Sequence, residues 1–283
     1  MVENRPFLTV LSHLVMILGV VIVAFPVWMT FVASTHDQAT MLRAPIPLLP
    51  GTHLIENYRQ VLTAGYNQGN GGIPILTTLM NSLIMALGVA IGKIAISIIA
   101  AFAVVYFRFP LRMVFFWAIF VTLMLPVEVR IVPTYGVVAA LGMLNSYAGL
   151  IIPIIASATA TFLFRQFFLS VPDELTEASR VDGASPMRFF WDILLPMSRT
   201  SIAALFVIQF IYGWNQYLWP LLITTKESFY TIVMNVSRQA NVADAAPQWN
   251  LLMAMAMLAM LPPVLVVIFM QRQFVRGLVE TEK

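Results

Sequence analysis

Ionisable side chains are scarce in this sequence, so any that fall within an apolar stretch are candidates for chemistry. Glu128 and Arg130 are the clearest case, both within the run from Thr122 to Arg130. Burying such groups in hydrocarbon is costly, which marks them as functional candidates. Their i, i+2 spacing keeps them off one shared helical face, so they need not pair directly. Two readings stand: a pair near a membrane surface that stabilises a helix bundle, or part of a path or binding site for a charged solute. Asn81, Ser82, Asn215 and Gln216 admit a similar choice between hydrogen bonds joining helices and polar lining of a path. Trp214, Tyr217 and Trp219 fit either an interfacial aromatic belt or a surface on which a sugar stacks.

Catalysis finds no support. There is no cysteine, which excludes thiolate nucleophiles, disulfides and cysteine metal sites. His13, His36 and His53 lie far apart without metal-ligand spacing, so they are expected to be structural or solvated, and no metal site is expected. No nucleophile–His–acid set and no H-E-x-x-H pattern occurs. Gly92-Lys93 resembles a fragment of a phosphate loop, but Ile94 stands where Ser or Thr is required and the first glycine is misplaced. The chain is therefore expected to be a non-catalytic component that binds no cofactor.

The elements that must position these residues are membrane helices. The 283 residues are 60% hydrophobic and 10% charged, with a mean hydropathy of +0.85. Soluble domains average about 25% charged residues, so an all-α, polytopic membrane protein is expected. The net charge of +3 fits arginines at a cytoplasmic surface and not nucleic-acid binding. Six spans are expected: Phe7 to Ser34, about Ile75 to Phe107, Met113 to Tyr135, Ala148 to Phe168, Ile202 to Thr224 and Leu251 to Met270. The first is too long for a signal-peptide core and is expected to stay uncleaved. The second exceeds the roughly 20 residues one span needs, so it should tilt, bend or project. Its Gly88 and Gly92 form a G-x-x-x-G pair that permits close helix approach. Pro26 is expected to kink the first span, and Pro262-Pro263 to break the sixth. The polar stretch from Thr35 to Ile73 reads as a long extramembrane loop.

Lys and Arg placement sets the orientation. One side holds Arg5, Arg108, Arg112, Arg165, Arg180, Arg188, Arg199, Arg272, Arg276 and Lys283; the other holds Arg43, Arg59, Lys226 and Arg238 despite longer loops. The rule that positive loops stay inside puts both termini and residues 170–196 in the cytoplasm.

Residues 170–196 are the most charged part of the chain. Ser170 is expected to cap a helix with Pro172 near its first turn, and Asp173, Glu174 and Glu177 lie near the positive end of its dipole. Gly183 ends that helix, Ser185-Pro186 start a second, and Pro196 stops it. Met187, Phe190, Trp191 and Leu194 place one apolar face on the second helix. Residue pattern alone leaves open an ordinary interfacial loop or a docking element for a cytoplasmic partner. A chain with no energy site of its own fits a transport subunit driven by another protein, and this is where that force would enter.

Glu177-Ala178-Ser179, then Gly183, then Ile193-Leu194-Leu195-Pro196 match the EAA signature of ABC-importer permeases throughout its spacing. Ser179 for the second alanine is the one departure. Thr122–Arg130, Ser157–Phe168, Asp182–Phe190 and Phe210–Pro220 resemble the carbohydrate-uptake group of these permeases. Pro50–Asn57 and Met270–Val279 narrow the likeness to the permeases of sn-glycerol-3-phosphate importers.

The resemblance implies one ABC transporter transmembrane domain over 1–283, with core spans at 76–271 and a coupling loop at 170–196. It implies an inner-membrane heterodimer with a second homologous permease, a periplasmic solute-binding protein, and two ATPase subunits that hold ATP and Mg. Glu177, Ala178, Ser179, Asp182, Gly183, Ile193 and Pro196 would then belong to ATPase coupling, with Phe189, Phe190 and Trp191 packing on the partner or on the permease itself. The solute expected is sn-glycerol-3-phosphate, with a neutral sugar as the alternative and a non-transporting scaffold as the other class.

Overall fold

The computed structural model describes residues 6–65, 73–122, 127–241 and 247–279, the side chains at 6, 127, 128 and 273–279 excepted. The expected all-helical character is found, with no strand among the described residues. These residues fall into two units, Met1–Leu76 with Val236–Leu261 and Thr77–Asn235 with Pro262–Lys283.

In the first unit, α1 (Pro6–Ser34) is 29 residues long and carries Pro26 inside it. At 1.5 Å per residue that is about 44 Å, more than the hydrocarbon thickness. The apolar side chains from Phe7 to Phe25 are exposed, as suits a surface covered by lipid or another helix. The polar segment after it is not bare loop. It forms α2 (Gln38–Met41) and α3 (Leu54–Thr63) around a hydrogen-bonded centre. There the buried Asn57 donates through Nδ2 to the Ser34 and His36 carbonyls at 2.9 and 2.8 Å, and Asn250 Nδ2 donates to Asn57 Oδ1 at 3.0 Å. The Gly51 N–H donates to Thr35 Oγ1 at 2.7 Å. A buried amide satisfied in this way fixes a loop that composition leaves undetermined.

The second unit is built on α4 (Ile75–Tyr106), an unbroken helix of 32 residues. Within the segment expected as the third span, the described residues form α5 (Arg112–Val121) and α6 (Val127–Ala140). The fourth is α7 (Tyr147–Ile151), a 3-10 turn at Ile152–Ile154 and α8 (Ala158–Leu169), with a 51° bend. Ser146 and Ser157 cap α7 and α8, accepting the Gly149 and Ala160 N–H groups. Next come α9 (Asp173–Val181), α10 (Pro186–Phe189), a π-helical stretch over Phe190–Leu194 and α11 (Leu195–Met197). The fifth expected span is α12 (Arg199–Trp214) and α13 (Leu218–Ile223), parted at residues 215–217. The polar residues beyond hold α14 (Ile232–Ala240).

The last helix, α15 (Trp249–Val279), runs through Pro262 and Pro263, so the expected break does not occur. Two prolines remove two donors, but in hydrocarbon only a continued helix satisfies the remaining backbone groups. Only α1, α4 and α15 contain stretches long and apolar enough to cross a membrane alone among the described residues.

Two apolar clusters organise the second unit. Met85, Val89, Ile131, Leu150, Trp219 and Ile223 form one. Phe102, Phe164, Phe168, Phe189, Phe190 and Leu205 belong to the other. Close helix approach holds the first together. A Cβ on Gly88 would stand 2.6 Å from Ile151 Cδ1, one on Gly92 2.7 Å from Ile155 Cγ2, and one on Gly213 2.9 Å from the Ala86 Cα. The G-x-x-x-G pair of α4 is therefore a packing face.

Candidate functional site

Two regions gather the candidate residues. The first is a cavity of about 180 Å³ in the second unit, lined by Lys93, Arg130, Thr134, Tyr212, Gln216 and Trp219 among others. Lys93 sits on α4 between Val89 of one apolar cluster and Ile98 of the other. It is 6% exposed, and its Nζ lies 3.6 Å from the centroid of the Tyr212 ring. The face of an aromatic ring attracts a cation and offsets part of the lost hydration. Arg130, on α6, lines the same cavity and is exposed to it. Among the described residues the one ion pair is Arg188–Asp192, so neither cation has a carboxylate partner there.

Of the described residues singled out for a solute path or sugar surface, Arg130, Gln216 and Trp219 line this cavity. The Glu128 side chain lies outside the described residues. Trp214 is 2% exposed and stacks on Phe210 at 5.9 Å between centroids. Asn215 is exposed at the end of α12 and does not line the cavity. Trp219 is buried too, its Nε1 donating to the Gly149 carbonyl at 3.1 Å. Trp214 and Trp219 therefore belong to the helix core, and neither forms an interfacial belt. Asn81 and Ser82 serve packing: Asn81 Nδ2 donates to the Ser228 and Tyr230 carbonyls, Asn81 Oδ1 accepts from the Tyr147 hydroxyl, and Ser82 Oγ accepts the Ile232 N–H. Gln216 does line the cavity.

Lys93 is the residue that sequence reasoning passed over. It was visible as the one charged side chain in the 32 residues of α4. An ionisable group deep in a span is a functional candidate by default.

The second region is the helix pair of residues 170–196. Ser170 does not open it: its Oγ donates to the Phe167 carbonyl at 2.7 Å and it ends α8, while Pro172 takes the position before α9. The turn at Gly183 is as expected. Gly183 has φ +72°, its N–H donates to the Arg180 carbonyl, and the Ala184 N–H donates to the Ser179 carbonyl, both at 3.0 Å. This is the two-bond closure in which a left-handed glycine satisfies the last carbonyls of a helix. Ser185 Oγ accepts the Arg188 N–H and Pro186 opens α10, also as expected.

Pro196 does not stop the second helix. The chain widens into the π-helical stretch just before it, with the Leu195 N–H donating to the Phe190 carbonyl, and turns 71° between Met197 and Arg199. A regular turn would drive the Pro196 ring into the preceding carbonyls, and the wider one avoids that clash.

The expected single apolar face is divided. Phe189, Phe190 and Leu194 are buried in the cluster with Phe102 and Phe168, Phe102 and Phe190 having centroids 4.9 Å apart. Met187 and Trp191 are exposed, as are Glu177, Ala178, Asp182 and Gly183. Ser179 is buried, and Ile193 and Pro196 are half-buried. The two phenylalanines thus pack on the chain's own α4 and α8. Arg188 Nε and Asp192 Oδ2 pair at 3.3 Å across one exposed turn.

The chain is thus all-helical among the described residues, with the helix pair of residues 170–196 packed on α4 and α8. The chain belongs to the family of binding-protein-dependent transport system inner membrane components, which matches residues 93–280. It is a multi-pass inner-membrane transport component. It is 57% identical to the sn-glycerol-3-phosphate transport system permease protein UgpE of Brucella melitensis, and 55% identical to the protein of that name in Escherichia coli O157:H7, over 100% of both chains in each case. It also superposes, with a TM-score of 0.82 at 18% identity over 97% of its length and 99% of the other chain, on a chain of the crystal structure of a bacterial ABC transporter involved in the import of the acidic polysaccharide alginate. That likeness shows the shared fold.

Proposed function

We propose that this chain is the permease subunit of an ATP-binding cassette importer for sn-glycerol-3-phosphate, with glycerophosphodiesters as further solutes. The observation that carries the solute class is the full-length identity, 57% and 55%, to permeases of that name. The chain acts as one transmembrane domain of six spans, formed by α1, α4, α5 with α6, α7 with α8, α12 with α13, and α15. Both termini and residues 170–196 face the cytoplasm. A second homologous permease completes the pore, a periplasmic protein delivers the solute, and two ATPase subunits hold ATP and Mg, so hydrolysis takes place on other chains.

In this reading the exposed Glu177, Ala178, Asp182 and Gly183 meet the ATPase, and the buried Phe189, Phe190 and Leu194 transmit its movement to α4 and α8. A close-packed aromatic contact moves as a unit, so displacement of α9 and α10 becomes displacement of the spans. ATP-driven closure then shifts the permease pair between inward-facing and outward-facing states.

The test is reconstitution of the four-component importer in vesicles. ATP hydrolysis and uptake stimulated by sn-glycerol-3-phosphate, and not by maltose-like sugars, is the expected result. Stimulation by the sugars alone moves the chain to a neutral-sugar importer, and uptake that survives deletion of this chain makes it a scaffold.

A further inference from the structure

We propose that Lys93 and Arg130 form a recognition point for a phosphate dianion, so that the permease itself reads the anionic end of its solute. The inference rests on the reading of this chain as a glycerol-3-phosphate permease and names the residues by which it would do so.

The arrangement is costly. Lys93 lies about 27 Å along α4 from its first residue, at 1.5 Å per residue. It is 6% exposed. An ammonium removed from water needs a counter-charge or several acceptors to offset the lost hydration. The Tyr212 ring offsets only a part of it. The second cation, Arg130, opens on the same cavity and adds repulsion instead of relief. Among the described residues no Asp or Glu pairs with either. Two cations converge on one cavity, and an anion from outside the chain would answer both charges.

The chemistry of the lining fits a phosphate monoester. The Arg130 guanidinium presents a planar fork suited to two phosphate oxygens, and the Lys93 ammonium supplies three donors from a single point. Thr134 and Gln216 add polar groups to the wall, while Ile154 and Trp219 leave an apolar side for a short carbon skeleton. The volume, about 180 Å³, is that of several waters at about 30 Å³ each, which suits a small phosphorylated solute. A neutral sugar would leave both charges unanswered.

The complete importer in phosphatidylcholine vesicles tests this, with its binding protein presenting sn-glycerol-3-phosphate. Lys93→Met and Arg130→Gln are each expected to lower uptake about tenfold or more, the loss of a hydrogen bond to a charged group. Lys93→Arg is expected to recover most of it, and every variant should assemble with the unaltered subunit ratio. Neutral variants that transport within about twofold of the unaltered importer would overturn the site while leaving the permease reading intact. An unaltered importer that moves neutral sugars and not glycerol-3-phosphate overturns both. If the loss appears only in vesicles containing phosphatidylglycerol, the pair holds a lipid headgroup and the proposal fails. Should Lys93→Met not assemble, Arg130→Gln decides, because Arg130 is exposed on the cavity wall.

Discussion

The Lys93 ammonium on α4 sits 3.6 Å from the centroid of the Tyr212 ring on α12. The contact joins two helices that a long stretch of sequence separates, and it fixes where one buried charge points. An ammonium over a desolvated ring gains about 2 kcal/mol or more. Tyr212→Leu is therefore expected to destabilise the purified permease by about 1–2 kcal/mol, while Tyr212→Phe, which keeps the ring, stays within about 0.5 kcal/mol. Thermal unfolding in detergent measures both. In a Lys93→Met background the leucine substitution should cost clearly less, since the cation it held is gone.

Gly183 is required by backbone conformation alone. Its φ is +72°, yet a Cβ there would meet nothing within 4 Å. An ordinary L-residue pays roughly 1–2 kcal/mol for that conformation, with asparagine penalised less and β-branched residues more. Gly183→Val is expected to distort the turn and reduce transport per ATP hydrolysed several-fold, and Gly183→Asn to retain most of the coupling. Transport and hydrolysis measured together in vesicles check this, and equal coupling in the valine variant counts against a role for the turn.

Phe190 and Trp191 are neighbours in sequence with opposite surroundings, 3% and 58% exposed. Phe190→Ala is expected to cost about 3–5 kcal/mol of stability through the cavity it leaves. Trp191→Ala should change stability by no more than about 0.5 kcal/mol, yet weaken capture of the ATPase subunits by the purified permease. Unfolding and pull-down measurements separate the two effects, and a Trp191→Ala variant that binds the ATPase normally removes that residue from the docking surface.

Gly213 approaches backbone, whereas Gly88 approaches a side chain. A Cβ on Gly213 meets the Ala86 Cα at 2.9 Å, and helix backbone cannot rotate aside as Ile151 can. Gly213→Ala is expected to destabilise by about 1–3 kcal/mol and Gly88→Ala by less, as overpacking depends on what can yield. Melting temperatures of the two variants in the same detergent give the order, and the reverse order would contradict this packing.

What the sequence determined by itself is local. A chain this apolar and this poor in charge must satisfy its backbone within helices, so the all-helical membrane character follows from composition. The turn at Gly183 and the Ser185-Pro186 start follow from requirements met within a few residues. The EAA spacing carried the family for the same reason, being a pattern of near neighbours.

What only the tertiary structure decided is which distant groups meet. Periodicity put Phe190 and Trp191 on one apolar face, but the π-helical stretch before Pro196 and the packing of Phe189 and Phe190 on Phe102 and Phe168 turned one inward and left the other outside. Likewise Trp214 carries no mark in sequence that separates a buried core ring from a solute-facing one. Lys93, Arg130 and Tyr212 lie on three helices and share one cavity; Gly213 lets α12 approach α4 at Ala86, and Gly88 and Gly92 let Ile151 and Ile155 close on α4. Helix formation is set by neighbours in the chain, whereas a site is set by contacts across it.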